Sequence, residues 1–410
     1  MNLAAISLDL IRLSQPLPFS LRGPDGKLLA RKGFVVGSME SLQAVAGGRG
    51  ELYIDVDEAD NYRRAYVAKL HDMVREDRAL GKIADVQLNS KDMDDSRTEV
   101  DDDTSDWLDI QSLANSMLHE LDQKKFQTKL NRLQRQLTRR SRANPDGTLF
   151  ALIYLSASEV RLYSATHGML VSVMCTLAAH EVLKWPEETE MILGKAALTM
   201  NIGMTDLQDR LAIQRGALTP EQRHYIDQHP ARSVAELQKR GITQTAWLEA
   251  VTNHHTKSPG PLGERPEGLR IARLIQRADM FAARLAPRAS RTPQPPASAM
   301  QACLFDEAGQ MDEAGAALIK TVGIYSPGSF VKLATNEIAA VIQRGFNTTM
   351  PRVAVLINRD GMPTGEMIVR DTSQREYKIT ASVPHRNVKV SINLDRLLPL
   401  TKAAASDLSW

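Results

Sequence analysis

Five side chains of metal-ligating type stand out in the second half of the sequence: His167, His229, the pair His254-His255, and Asp279. Each falls on, or at the end of, a stretch with helical spacing. Neutral imidazole nitrogen and carboxylate oxygen suit iron, manganese or zinc, and a helical bundle that turns several such groups inward can hold a divalent ion. The chain has nine histidines; His180 and His224 fall outside this set and are expected as ordinary helix residues. His167 and His254 have a second use, as hydrogen-bonded histidines of a packed bundle. Asp279 has one too, as a cap or as the partner of Arg273 or Arg277.

The elements that must position these groups are mainly helices. From Thr148 to about Val322 no alternating strand pattern is visible, and the periodicity predicts helices over Leu149–Ala157, Ser164–Lys184, Glu187–Ile202, Pro220–Arg240, Thr245–His255 and Ile271–Leu285. Thr219-Pro220-Glu221-Gln222 is a helix start, with Thr219 as cap, Pro220 first in the helix and Gln222 closing a capping box. Residues 123–142 form a strongly basic helix with Phe126, Leu130, Leu133 and Leu137 on one face. It packs on its own domain or presents a surface to an anionic partner. Pro145-Asp146-Gly147 predicts a turn after it. Pro287 to Ala299 predicts a loop before a last helical pair at about 298–321.

Both ends of the chain change period. Phe19-Ser20-Leu21-Arg22, Leu28-Leu29-Ala30, Gly33-Phe34-Val35-Val36 and Leu52–Val56 predict short strands, with a turn at Pro24-Asp25-Gly26 and a helix over 58–81. Phe330–Leu333, Ile338–Ile342, Arg352–Ile357 and Val388–Ile392 predict a second β-rich piece. The fold class is therefore mainly α: a helical bundle core with a small N-terminal β-containing module and a small C-terminal β-rich appendage. The boundaries expected are 1–88 for the N-terminal module, 89–106 for an acidic linker, 107–322 for the helical domain and 323–410 for the appendage and tail. The linker rests on the eight acids between Lys91 and Asp106.

Composition narrows the class further. Apolar residues make up 43% and charged residues 24%, a globular balance, and a net charge of +2 argues for no nucleic-acid or membrane partner by itself. Cys175 and Cys303 lie far apart, which implies a reducing compartment and no disulfide framework. No signal peptide or membrane span is expected, and the reading is a cytoplasmic protein.

Over roughly Leu149 to Val322 the motifs resemble the HD-GYP domain family, a branch of the HD phosphohydrolases that hydrolyses cyclic di-GMP. Tyr163 with His167, Leu218-Thr219-x-Glu221 leading to His229-Pro230, the pair His254-His255, and Ala272-Arg273 followed by Ala278-Asp279 occur in the family's order. Tyr325–Leu333 resembles the β appendage that often trails these domains, and residues 17–60 the module that often precedes them. The resemblance implies bacterial cyclic di-GMP signalling and a metal site.

The departures are as specific. Where the family carries His-Asp-Ile-Gly-Lys, this chain has Met200-Asn201-Ile202-Gly203-Met204, and the Gly-Tyr-Pro motif is re-spelled within Pro259–Pro266. A two-metal hydrolase holds its ions about 3.5–4 Å apart and needs an anionic oxygen between them. Asn201 is neutral, the Met200 thioether is mismatched to hard ions, and Met204 removes a cation that would meet phosphate. No catalytic residue is assigned. The residual ligands are His167, His229, His254, His255 and Asp279, for at most a single divalent ion (Fe, Mn or Zn), and Arg265, Arg273 and Arg277 are the candidate binding cations. Three functions stay open: a non-hydrolytic signalling protein that binds cyclic di-GMP or protein partners; a metal-dependent phosphodiesterase with a reduced site; and a purely structural interaction module. The sequence fixes no oligomeric state.

Overall fold

A computed structural model describes residues 3–6, 11, 17, 19–23, 28–31, 34–38, 52–55, 107–158, 162–286, 294–366, 368–388, 390 and 394–402. The expected turn at Pro24-Asp25-Gly26, the helix over 58–81 and the acidic stretch 91–106 lie outside them. The chain divides into two compact units, Met1–Thr104 and Ser105–Trp410. In the first, β1 (Leu3–Ile6), β2 (Leu21–Arg22), β3 (Leu28–Ala30) and β4 (Leu52–Asp55) form an antiparallel sheet in the order β1-β4-β2-β3. Leu17, Leu21, Ala30, Val36 and Leu52 fill its core. The strand expected at Phe34–Val36 reduces to an isolated bridge at Val35.

The second unit is a helical bundle with a sheet attached. Its helices are α1 (Trp107–Leu118), α2 (Gln123–Ala143), α3 (Pro145–Ser158), α4 (Tyr163–Leu177), α5 (Glu187–Thr199), α6 (Thr205–Ile213), α7 (Pro220–Asp227), α8 (His229–Lys239), α9 (Thr245–Asn253), α10 (Glu267–Leu285), α11 (Pro296–Gln301), α12 (Glu313–Val322) and α13 (Leu394–Lys402). α4 is apolar on nearly every side and is buried along almost its whole length, as a central helix must be. The basic α2 lays Phe126, Leu130, Leu133 and Leu137 into the core, each worth about 1.5–3 kcal/mol of burial.

Several helix limits depart from the periodicity. Pro145-Asp146-Gly147 is no turn. It opens α3, because Asn144 accepts from the Gly147 amide and Pro145 needs no partner for a missing N–H. The predicted helix over 220–240 is two helices, since Pro230 cannot donate into a continuous helix and the chain restarts at His229. The helix over 187–202 stops at Thr199, followed by a 3-10 turn at Ile202–Met204. α4 runs into a π-helical turn, Ala178–Leu183. α11 occupies part of the stretch expected as a loop, whose residues 287–293 lie outside the described ones.

The attached sheet is antiparallel, in the order β8-β7-β6-β5-β9, from β5 (Phe330–Leu333), β6 (Ile338–Gln343), β7 (Arg352–Ile357), β8 (Val369–Asp371) and β9 (Ile379–Val383). No strand includes Val388 or Val390, and the 3-10 turn His385–Asn387 precedes them. Phe330, Ile342 and Leu356 of the sheet, Phe150 of α3 and Leu397 of α13 share one apolar cluster. Arg344 fastens it further, donating to Asp146 at 2.6 Å and Glu181 at 2.8 Å. No helix among the described residues is long and apolar enough to cross a membrane.

Candidate metal centre

The α7–α8 break puts His229 in the first turn of α8, and the end of α9 delivers His254 and His255. Their ligand atoms all lie within 4.8 Å of one another. His229 and His254 are buried, and His255 is exposed. Nδ1 of His229 donates to the Ile226 carbonyl, and Nδ1 of His254 to that of Val251 at 2.7 Å. These bonds assign the protons to Nδ1, so both Nε2 atoms carry lone pairs, and those two atoms stand only 3.1 Å apart.

Two lone pairs facing at that distance repel unless a cation lies between them. Metal–imidazole bonds of about 2.0–2.1 Å at tetrahedral to octahedral angles separate donor nitrogens by roughly 2.8–3.4 Å, so the pair fits a divalent ion. A backbone carbonyl on the far ring nitrogen is also the usual way a ligating histidine is oriented. Burial, with His255 and His229 close by, pushes His254 down to about 3. Burial lowers His229 as well. Both are neutral near pH 7, the form that ligates.

His167 and Asp279 do not join this cluster by their ring and carboxyl atoms. They pair with each other, Nε2 to Oδ1 at 2.7 Å, and Tyr163 stacks on His167 at 5.5 Å. Burial pushes the Asp279 carboxyl up, but the His167 hydrogen bond and the neighbouring imidazoles outweigh it and hold it well below the usual carboxylate range. The alternative partner for Asp279, Arg273 or Arg277, is therefore replaced by a histidine. Arg273 and Arg277 are buried and held by Glu307 and Asp312. Arg265 donates to the Ser258 and Gly260 carbonyls of its own loop.

Met200 and Asn201 line a small cavity together with His167, Ser164, Thr205 and Gln208. Met200 is buried, and Met204 is half-buried. His167 Nδ1, Asn201 Oδ1 and Gln208 Oε1 are buried without a partner. Gln208 had no signal in the sequence, since a lone Gln on an amphipathic helix resembles any other. Gly203 had one, a glycine between buried helices: its amide donates to Ser233 Oγ at 3.0 Å, and Tyr225 donates to its carbonyl at 3.2 Å. This seats α8, and with it His229, against the turn.

No family model matches the chain. The chain is 25% identical over 228 residues to the cyclic di-GMP phosphodiesterase PA4108 of Pseudomonas aeruginosa, a match covering 54% of each protein. It thus spans about half the length of that curated relative. Among solved structures it aligns with Bd1817, a HDG"Y"P protein from Bdellovibrio bacteriovorus, at 16% identity over 78% of this chain and 99% of that one. The TM-score is 0.39, too low for shared geometry to be read from it. In the order of its motifs and in its match to the curated phosphodiesterase, the chain resembles the HD-GYP family.

Proposed function

We propose that this protein is a non-hydrolytic member of cyclic di-GMP signalling, which holds one divalent ion on His229, His254 and His255 and acts by binding nucleotide or a protein partner. The observation that carries this reading is the absence, among the described residues, of any carboxylate from the histidine cluster. The nearby acid, Asp279, is engaged by His167, and Asn201 stands where a second acid would be needed. Three neutral imidazoles bind one dication but cannot offset the repulsion between two. Such an ion supplies a Lewis acid and a fixed positive charge able to meet a phosphate oxygen. The protein's own part is to orient the three rings and keep them unprotonated. Cyclic di-GMP enters through the relative's activity.

The exposure of His255 favours a second reading, a hydrolase with one metal, because an open coordination position is what catalytic sites keep. Purification without chelator, followed by metal analysis and cyclic di-GMP binding and turnover assays, separates the readings. One equivalent of iron, manganese or zinc with binding and no turnover is expected. Turnover would overturn the non-hydrolytic reading, and neither metal nor binding would leave a structural module.

A further inference from the structure

The three histidines are not held alike. The rings of His229 and His254 are each tied to a carbonyl three residues back. His255 is exposed, its ring makes no hydrogen bond among the described residues, and it sits just beyond α9. Beyond ring contacts with His229 and His254, its position follows the main chain at Thr256.

That main chain is gripped from α10. Gln276, buried, donates through Nε2 to the Thr256 carbonyl at 3.1 Å. Its Oε1 accepts from Arg273 Nη1 at 2.6 Å. Arg273 in turn donates to Asp312 at 2.7 Å and, through two nitrogens, to Glu307 at 3.0 and 3.1 Å. Asp312 is itself fixed as the N-cap of α12, accepting from the Gly315 amide at 2.8 Å. The next residue, Glu313, accepts from the Leu262 amide at 2.9 Å. Besides its local bonds, from Thr256 to Asn253 and from Arg265 to the Ser258 and Gly260 carbonyls, the segment after His255 is thus tied at two points to the start of α12.

We infer that Gln276 is a positioning residue for the metal site, placing His255 through Thr256, and that Arg273 and the acids Glu307 and Asp312 exist to orient Gln276. The inference rests on the metal reading above. A glutamine suits the task because its two ends have opposite polarity: the oxygen faces a guanidinium and the nitrogen a carbonyl. Reversing it would set N–H against N–H and oxygen against oxygen. The buried guanidinium of Arg273 fixes the direction.

Gln276→Glu separates this role from packing. The carboxylate keeps the length and the bond to Arg273, and it cannot donate to Thr256. Gln276→Met keeps the length with neither polar end, and controls for the added charge. In chelator-treated protein, amide hydrogen exchange over 256–262 is expected to speed up in both variants while the bundle helices stay as in the parent. In metal-titrated protein, affinity for Co2+ is expected to fall by about tenfold or more in both, as for other partners that orient a ligating group. Exchange over 256–262 equal to the parent's in Gln276→Glu overturns the inference. So does a loss of protection spread evenly over the bundle. If the parent binds no metal, the proposed function falls, while the exchange result still decides whether Gln276 holds this segment.

Discussion

At the scale of single residues, the facing Nε2 atoms of His229 and His254 contrast with the pair Met200-Asn201, which lines the small cavity beside His167. The imidazoles are prepared for a cation, with protons tied away at Nδ1 and burial favouring the neutral form. Met200 and Asn201 themselves offer only a thioether and an amide. Restoring both positions, Met200→His with Asn201→Asp, is expected to raise bound metal from one equivalent to two, because a carboxylate beside His167 supplies the missing anionic oxygen. Metal analysis of the purified double variant checks it. A stoichiometry that stays at one would place the loss beyond this pair, in the engagement of Asp279 by His167. Conversely, His254→Gln is expected to lower metal affinity by at least about a hundredfold, read by competition with a chelator, since it removes one of two anchored donors.

Much of this site was legible because ligating residue types are rare on buried helix faces and occur here in a family's order. The partner of Asp279 was not. Arg273 and Arg277 are close in sequence, but residues advance roughly 100° around a helix at each step, so Asp279 lies roughly 200° round from Arg277. The arginines face Glu307 and Asp312, and Asp279 faces α4, where His167 is 112 residues away in sequence. Sequence spacing fixes which side of α10 a residue takes. Which element packs there depends on tertiary contacts that no local pattern contains.

At the scale of elements, the site depends on how the 3-10 turn at Ile202–Met204 meets the first turns of α8. A Cβ on Gly203 would come within 2.5 Å of the Ser233 amide nitrogen and 2.7 Å of the Arg232 carbonyl carbon. Both neighbours are backbone, which cannot swing aside as a side-chain end can. Gly203→Ala is therefore expected to push α8 outward, costing about 1–3 kcal/mol in urea unfolding. Because α8 begins at His229, metal affinity should fall with it. A stable variant with unaltered affinity would mean that α8 relaxes without moving its start. Periodicity predicted α8 as the continuation of α7, since apolar spacing carries on across residues 226–233. The break comes from Pro230, and a restart there is what turns His229 inward instead of leaving it in mid-helix. The C-terminal helix α13 was missed for a related reason, as Pro399 interrupts its pattern.

At the scale of the whole molecule, buried neutral histidines make stability depend on pH. His254 ionises near 3 in the folded chain, against 6.5 for an ordinary histidine. His385, packed against Phe330 and Tyr154 and bonded to the Gly328 carbonyl, is lowered by burial to about 4. In both cases the unfolded chain takes up the proton first as pH falls. Stability is therefore fully present above about pH 6.5. It drops below that by about 1.4 kcal/mol per pH unit for each such histidine, until the folded group also protonates. Thermal unfolding of chelator-treated protein between pH 8 and 4 is expected to show a flat Tm above neutrality and a steep fall below 6.5. His385→Gln should remove part of the slope between 6.5 and 4 without changing metal content, because His385 lies in the 3-10 turn after β9, against Phe330 and Tyr154, and is no member of the histidine cluster. Saturating metal should raise Tm, since the ion binds the neutral rings assembled in the folded chain and not the unfolded chain. A Tm that rises on acidification below 6.5 would require these histidines to be charged in the folded state, and would contradict the burial of His254.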